Sequence, residues 1–220
     1  KSLIPKLHLP PILMHRIQLR LISIAKTNSN LAIEYAEQLW SINFYETKLL
    51  SSIILGNLPE SSTQVVVQKL LDFGLSANDF EIHQILFLNG SKNIRQSNQN
   101  KWLEIIYSWI DANQRSQIIL AISAIRALVQ EPTFINLPRI FKIITPIFSI
   151  ENRKVSSALL ILVSDLIEKN SIETAYFLSS TLLVGAPKIS SQIIRKTLKL
   201  FPPKERQMLK ESLTNTFEEE

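Results

Sequence analysis

Two acidic side chains near the predicted start of a helix could take part in catalysis. Asp79 and Glu81 lie two residues apart at the beginning of the segment from Asn78 to Leu88. Both could be catalytic carboxylates, because a carboxylate held in a site can stabilise positive charge that develops on a substrate. Carboxylates in this position also complement the helix dipole, and that structural role is the alternative.

Basic residues recur in the second helix of successive predicted helical pairs. Arg195 and Lys199 are four residues apart and are therefore expected on one face. A row of such residues could contact the phosphates of a nucleic-acid duplex without reading its sequence. The alternative is that they form ordinary solvated helix faces. The candidates for contacts with a nucleic-acid backbone are Arg115, Arg126, Arg153, Lys154, Lys188, Arg195 and Lys199, with Lys48 and Lys196 as further basic positions.

The composition excludes several classes of site. The chain has no cysteine, which rules out disulfides, thiolate nucleophiles and cysteine-based zinc sites. Its four glycines are too few for a glycine-rich phosphate loop. His8, His15 and His83 are scattered and show no HExxH spacing, so we expect neither a metal nor a cofactor. The formal charge of +5 suits an acidic partner, although it is also an ordinary surface charge.

The sequence shows no feature of a membrane or exported protein. No apolar run reaches the roughly 18 residues that a membrane-spanning helix requires. No signal peptide is recognisable at the start of the given sequence. We therefore predict a cytoplasmic protein that has no membrane association and is a monomer.

Helical periodicity runs through the chain and predicts paired helices. Leu31 to Pro59 contains two amphipathic segments separated only by Ser41 to Asn43, which indicates an antiparallel hairpin. Similar units begin near residues 62, 100, 136 and 171, a period of about 35 residues. The polar stretch Asn89 to Asn100 is predicted to be a loop. The predicted fold class is all-α, with five to six HEAT-like hairpins stacked into a right-handed superhelix, and residues 1–220 form a single domain.

One pattern in the first hairpin resembles a known family. Leu39-Trp40, Glu46 and Leu49-Leu50 are similar to a signature of the AlkD-type DNA alkylation-repair proteins. Membership would imply a HEAT-like repeat DNA glycosylase that removes cationic N3- or N7-alkylated purines. Further similar elements are Pro10 to Lys26, Trp109 to Asn113, Arg153 to Asp165 and Ser190 to Phe201.

The catalytic positions of that family are mostly not matched. Glu81 falls where the family has an aspartate, and Ala77 where it has a tryptophan. The family arginine aligns with Ile118 or Ile119, and Arg115 lies about one turn earlier. Ile161 stands in place of a second tryptophan and cannot stabilise a cationic base through a π-face. The tryptophans that are present, Trp40, Trp102 and Trp109, fall on apolar helix faces and are predicted to pack in the core.

Two functions from different classes follow from these residues. The first is a duplex-DNA-binding relative of the alkylpurine glycosylases with reduced or no base-excision activity. Its variant is an active glycosylase that uses Glu81 as the electrostatic stabiliser and Arg115 on phosphate. The second is a HEAT-type scaffold that binds another protein and has no nucleic-acid role.

Overall fold

The computed structural model describes residues 4–183 and 187–218, and these are almost entirely helical. No β-strand occurs among them, which confirms the all-α prediction. Short 3-10 turns at Glu60–Ser62, Thr145–Ser149 and Leu198–Leu200 join some of the helices. The α-helices are α1 (Pro11–Thr27), α2 (Ser29–Ser41), α3 (Tyr45–Leu55), α4 (Thr63–Ser76), α5 (Phe80–Gly90), α6 (Lys92–Ser97), α7 (Gln99–Asp111), α8 (Arg115–Val129), α9 (Leu137–Ile144), α10 (Arg153–Lys169), α11 (Ser171–Leu183), α12 (Pro187–Thr197) and α13 (Pro203–Glu218).

The chain divides into two compact units, Lys1–Ala112 and Asn113–Glu220. In the first unit, α2 pairs with α3 and α4 pairs with α5, as the helical hairpins predict. The second helices of these pairs, α3 and α5, pack against each other. The first helices meet through the rings of Trp40 and Phe73, which stack with centroids 4.6 Å apart. Helix α1 packs on α2 and α3.

The second unit repeats this pairing of like helices. Helices α8, α10 and α12, which the sequence predicts as the second helices of successive hairpins, pack in consecutive order. Among the first helices, α11 packs on α13. Phe141 of α9 stacks on Phe177 of α11 at a centroid distance of 4.5 Å. Each unit therefore contains contacts between alternate helices, while the HEAT-like superhelical stack remains a prediction.

Asparagine and aspartate side chains start several of these helices. Asn28 accepts a hydrogen bond from the backbone N–H of Leu31, and Asn152 accepts from that of Lys154. Asn98 and Asn136 cap α7 and α9 in the same way. Such caps satisfy N–H groups that the first helical turn leaves without partners. Polar residues at these points therefore determine where one helix ends and the next begins.

The prediction that Asn89 to Asn100 forms a loop is wrong. Helix α5 continues to Gly90, α6 occupies Lys92–Ser97 and α7 begins at Gln99. Lys92, Gln96 and Ser97 of α6 are exposed, whereas Ile94 and Arg95 are buried. The guanidinium of Arg95 donates to the Ser91 hydroxyl at 2.9 Å and to the Leu88 carbonyl at 2.6 Å. A short helix whose residues are mostly polar can thus be mistaken for a loop in the sequence.

Within the described part of the chain, every helix falls short of the length and apolar character that crossing a membrane demands.

Candidate nucleic-acid interface

The residues predicted to contact DNA all lie in the second unit. Six of the seven are exposed, at the start of α8, at the start of α10 and along α12 with its following turn. These helices pack consecutively, so their basic residues occur on one layer of helices. We call this set the basic layer, and its members are Arg115, Arg153, Lys154, Lys188, Arg195 and Lys199.

Arg126, the seventh predicted contact, is buried instead. Its Nε lies 2.5 Å from Oδ2 of Asp165, and a second nitrogen reaches Oδ1 at 3.4 Å. The two side chains are only 7% and 16% exposed. A guanidinium held in this way joins α8 to α10 and is not presented to a phosphate. The structure therefore assigns Arg126 a structural role, and it is left out of the basic layer.

Helix α12 presents the densest part of the basic layer. Its residues Lys188, Gln192, Arg195 and Lys196 are exposed, and its sequence contains no acidic residue. Positions 188, 192 and 195 are one helical turn apart, so they form a single stripe. The opposite side of the helix is apolar, with Ile193 and Ile194 buried. This amphipathic pattern keeps α12 fixed in the core while its cations remain in solvent.

The turn that contains Lys199 is stabilised by Arg206, a residue that the sequence analysis does not single out. Arg206 of α13 donates to the carbonyls of Lys199 at 3.1 Å and Phe201 at 2.8 Å. These bonds close the 3-10 turn Leu198–Leu200 onto α13. The position of Arg206, one turn after Pro202-Pro203, could have indicated this role in the sequence, because a side chain there can reach back to the preceding carbonyls. Arg206 thus supports the position of Lys199.

An ion pair joins the beginnings of α10 and α12. Lys188 Nζ lies 2.9 Å from the carboxylate of Glu151, and both side chains are about two-thirds exposed, at 69% and 66%. Arg153 and Lys154 follow Glu151 directly and are also exposed. The contact brings Lys188 to the same end of the helical layer as Arg153 and Lys154. Glu151 therefore neutralises part of the charge at the point where the cations are most concentrated.

The predicted catalytic carboxylate lies in the first unit, at the start of α5. Asp79 caps this helix, accepting hydrogen bonds from the backbone N–H groups of Glu81 at 2.8 Å and Ile82 at 3.4 Å. Asp79 is therefore the N-cap of α5. Glu81 itself is partly buried, and the ammonium of Lys6 is 3.9 Å from its Oε1.

Glu81 belongs to a group of charged and aromatic side chains around the start of α3. Lys6 also lies over the ring of Tyr45, with 4.5 Å between Nζ and the centroid. Burial, followed by the charges of Glu81 and Glu46, raises the pKa of the Tyr45 phenol. Glu46 accepts the backbone N–H groups of Leu7 at 2.8 Å and of His8 at 3.1 Å. These contacts fasten the segment before α1 beside Glu81.

All three tryptophans pack in the interior of the first unit, as the sequence predicts. Trp40 is 5% exposed, and its indole N–H donates to the Ser76 hydroxyl at 3.0 Å. Lys48 lies over the Trp40 ring at 4.5 Å, and burial lowers the pKa of its ammonium group. Trp102 and Trp109 meet edge to face at 5.7 Å. All three rings are therefore core side chains, and the ammonium group of Lys48 contacts the Trp40 ring within the fold.

The positions aligned with the other catalytic residues of the resembled family provide no aromatic or cationic group. Ala77 ends α4, Ile118 is buried at 1% exposure, and Ile161 is partly buried in α10. In the described residues, no three His, Asp or Glu side chains come together as metal ligands. The exposed cations of α10 and α12 are chemically able to bind phosphates, whereas Glu81 is the single carboxylate at a position aligned with a catalytic residue of the resembled family.

Family models, curated proteins and solved structures were all compared with the chain, and none matched.

Proposed function

We propose that this chain is a HEAT-like repeat protein that binds duplex DNA through the basic layer. The proposal includes reduced or no base-excision activity. The observation that supports it is the arrangement of six exposed Arg and Lys residues on three consecutively packed helices, α8, α10 and α12. Cations on neighbouring helices can follow a phosphate backbone, which is itself a regular row of negative charges.

The side chains of the basic layer suit contacts with phosphates better than contacts with bases. Lysine and arginine on an exposed helix face neutralise phosphates and release counterions, which is independent of sequence. Binding of single strands commonly uses exposed aromatic rings as stacking platforms. The exposed residues of α12 are Lys, Arg and Gln, with no aromatic ring among them. We therefore propose a double-stranded ligand that is gripped by its backbone.

The weak catalytic set supports a binding protein over an efficient glycosylase. Removal of an alkylated purine needs groups that hold the cationic base and stabilise charge on the sugar. Glu81 is close to Lys6, whose positive charge opposes stabilisation of a second cation. Ala77 and Ile161 provide no π-face for the lesion.

The salt dependence of binding to non-specific duplex DNA tests the proposal. Log K should fall linearly with log salt, with a slope that is roughly 0.9 times the number of phosphates neutralised. Replacing Lys188, Arg195 and Lys199 together by glutamine should reduce that slope by about 3, since each lost phosphate contact removes about one unit. Fluorescence anisotropy with a labelled duplex measures both quantities.

A matched triple variant controls for total charge. Lys142, Lys204 and Lys210 are exposed on α9 and α13 of the same unit, outside the basic layer. Their replacement by glutamine removes the same charge and should leave the slope nearly unchanged. Equal loss in both triple variants would refute a localised interface. A flat salt plot, or no binding at low salt, would instead favour the protein-binding scaffold.

Release of 3-methyladenine or 7-methylguanine from alkylated DNA tests the catalytic part of the proposal. We expect release at or near background, unchanged in Glu81→Gln. Strong release by the native chain that Glu81→Gln abolishes would establish an active glycosylase and would contradict reduced activity. DNA binding by the basic layer is measured separately, so the two parts of the proposal can fail independently.

A further inference from the structure

The first long helix, α1, has a large outward face that the fold does not cover. Helix α1 packs on α2 and α3 through one side, and among its 17 residues only Ala25 is fully buried. On the other side, Ile12, Leu13 and Leu19 are 73%, 45% and 54% exposed. Ile12 and Leu19 are seven residues apart, which places them on the same face, two turns apart. Apolar side chains repeated at this spacing are typical of helices that dock on another helix.

All charged residues on this face are basic. Arg16, Arg20 and Lys26 are exposed, as is His15, and the sequence of α1 contains no acidic residue. In residues 4–183 and 187–218, none of the three permanent cations forms an ion pair. Arg16 and Arg20 are four residues apart, and like charges at this spacing repel each other. The face therefore combines unneutralised positive charge with exposed leucine and isoleucine.

We propose that the outward face of α1 binds an acidic amphipathic helix of a partner protein. Leucine or isoleucine side chains of the partner would pack on Ile12 and Leu19, and its Glu or Asp residues would pair with Arg16, Arg20 and Lys26. The contact is complementary in both hydrophobicity and charge. It is independent of DNA binding, since none of these residues belongs to the basic layer.

Two other occupants fit this face less well. A helix that lies in a membrane surface needs a broad apolar side, whereas here Ile12 and Leu19 form only a narrow strip, with the charged Arg16 between them along the helix. In a symmetric pair of chains the same patch meets itself. Arg16 and Arg20 of one copy would then approach those of the other, with no acidic residue in α1 to separate them. An acidic helix avoids both difficulties.

Binding of a designed peptide tests the proposal with the whole chain. The probe is a fluorescein-labelled helical peptide of leucine, glutamate and alanine, with leucines at i, i+3 or i+4, and i+7 and glutamates beside them. A scrambled peptide of identical composition is the control. We expect a dissociation constant of roughly 10 µM, typical of a small transient interface, and at least tenfold weaker binding of the scrambled peptide.

Variants of the face separate its two components. Arg16→Glu with Arg20→Glu should weaken peptide binding by about tenfold or more, because two attractions become repulsions. Ile12→Ser with Leu19→Ser should weaken it by a similar factor. Matched controls are Lys92→Glu with Lys101→Glu for charge, and Val65→Ser with Leu75→Ser for exposed apolar surface, and these should bind as the native chain does.

Three outcomes would overturn the proposal. The first is equal binding by native chain and both face variants. The second is association with vesicles of phosphatidylserine and phosphatidylcholine, lost in Ile12→Ser with Leu19→Ser, together with no peptide binding, which would identify a membrane surface. The third is self-association of the chain that this same double variant abolishes, which would identify a second copy as the occupant.

Discussion

Replacing Arg126 by methionine removes one partner of a nearly desolvated ion pair. The native guanidinium lies 2.5 Å from Asp165, and the two side chains are 7% and 16% exposed. Methionine retains the aliphatic volume of arginine but provides no donor. Asp165 would then lie in a largely buried position with its guanidinium hydrogen bonds lost. The variant therefore tests whether this pair supports the second unit.

The expected cost can be worked from the burial of the pair. Removing one partner of a fully buried ion pair costs about 3–5 kcal/mol, because the remaining charge is uncompensated. Asp165 retains some contact with water, so we expect the lower end, about 3 kcal/mol of unfolding free energy. Replacing both residues, as Arg126→Met with Asp165→Leu, removes the stranded charge. This double variant should lose only about 1 kcal/mol.

Urea unfolding followed by the helical circular-dichroism band measures these changes. Arg115→Met is the control, since Arg115 is exposed and its loss should change stability by less than about 0.5 kcal/mol. The reasoning is refuted if Arg126→Met costs less than about 1 kcal/mol, or if the double variant is less stable than the single one. Arg126→Met should also keep the native salt slope for DNA at temperatures where it is folded.

Three further predictions follow from other contacts. Burial lowers the pKa of His83, although its ring Nε2 is hydrogen-bonded to the carbonyls of Gly74 and Ala77, so the folded chain favours the neutral imidazole. The free energy of unfolding should therefore fall as the pH drops below the unfolded pKa of about 6.5. In His83→Gln the urea midpoint should depend less on pH across that range. Gly56→Ala would place a Cβ 1.8 Å from the carbonyl oxygen of Asn89, so we expect a loss of about 3 kcal/mol, read as a lower thermal midpoint; an unchanged midpoint would contradict this close approach. Glu151→Gln frees Lys188 and should tighten duplex binding roughly threefold at low salt, and weaker binding would count against Lys188 as a phosphate contact.

Helix positions could be predicted from the sequence because their signals are local. The hairpin expected within Leu31 to Pro59 appears as α2 and α3, with its turn close to the predicted Ser41 to Asn43. Apolar periodicity and capping residues act within a few positions of the helix that they specify. Helix α6 was missed because it is short and buries only Ile94 and Arg95, too few residues to show a period.

The candidate site could be predicted only in part, because burial of a charge depends on distant residues. Exposure of Lys188 and Arg195 agrees with their polar positions on the amphipathic helix α12. Arg126 also lies in a helical sequence pattern, but its burial depends on Asp165, which is 39 residues away and on another helix. Nothing near Arg126 in the sequence distinguishes an arginine that pairs inside the fold from one that meets solvent.

The placement of the tryptophans makes intrinsic fluorescence a selective reporter. Trp40, Trp102 and Trp109 are all buried in the first unit, whereas the basic layer lies entirely in the second. Indole emission therefore monitors unfolding of the first unit, while the helical circular-dichroism band monitors both. A variant of the second unit that shifts the tryptophan transition must act through energetic coupling between the units. The native chain can thus reveal the cooperativity of its two halves without an added label.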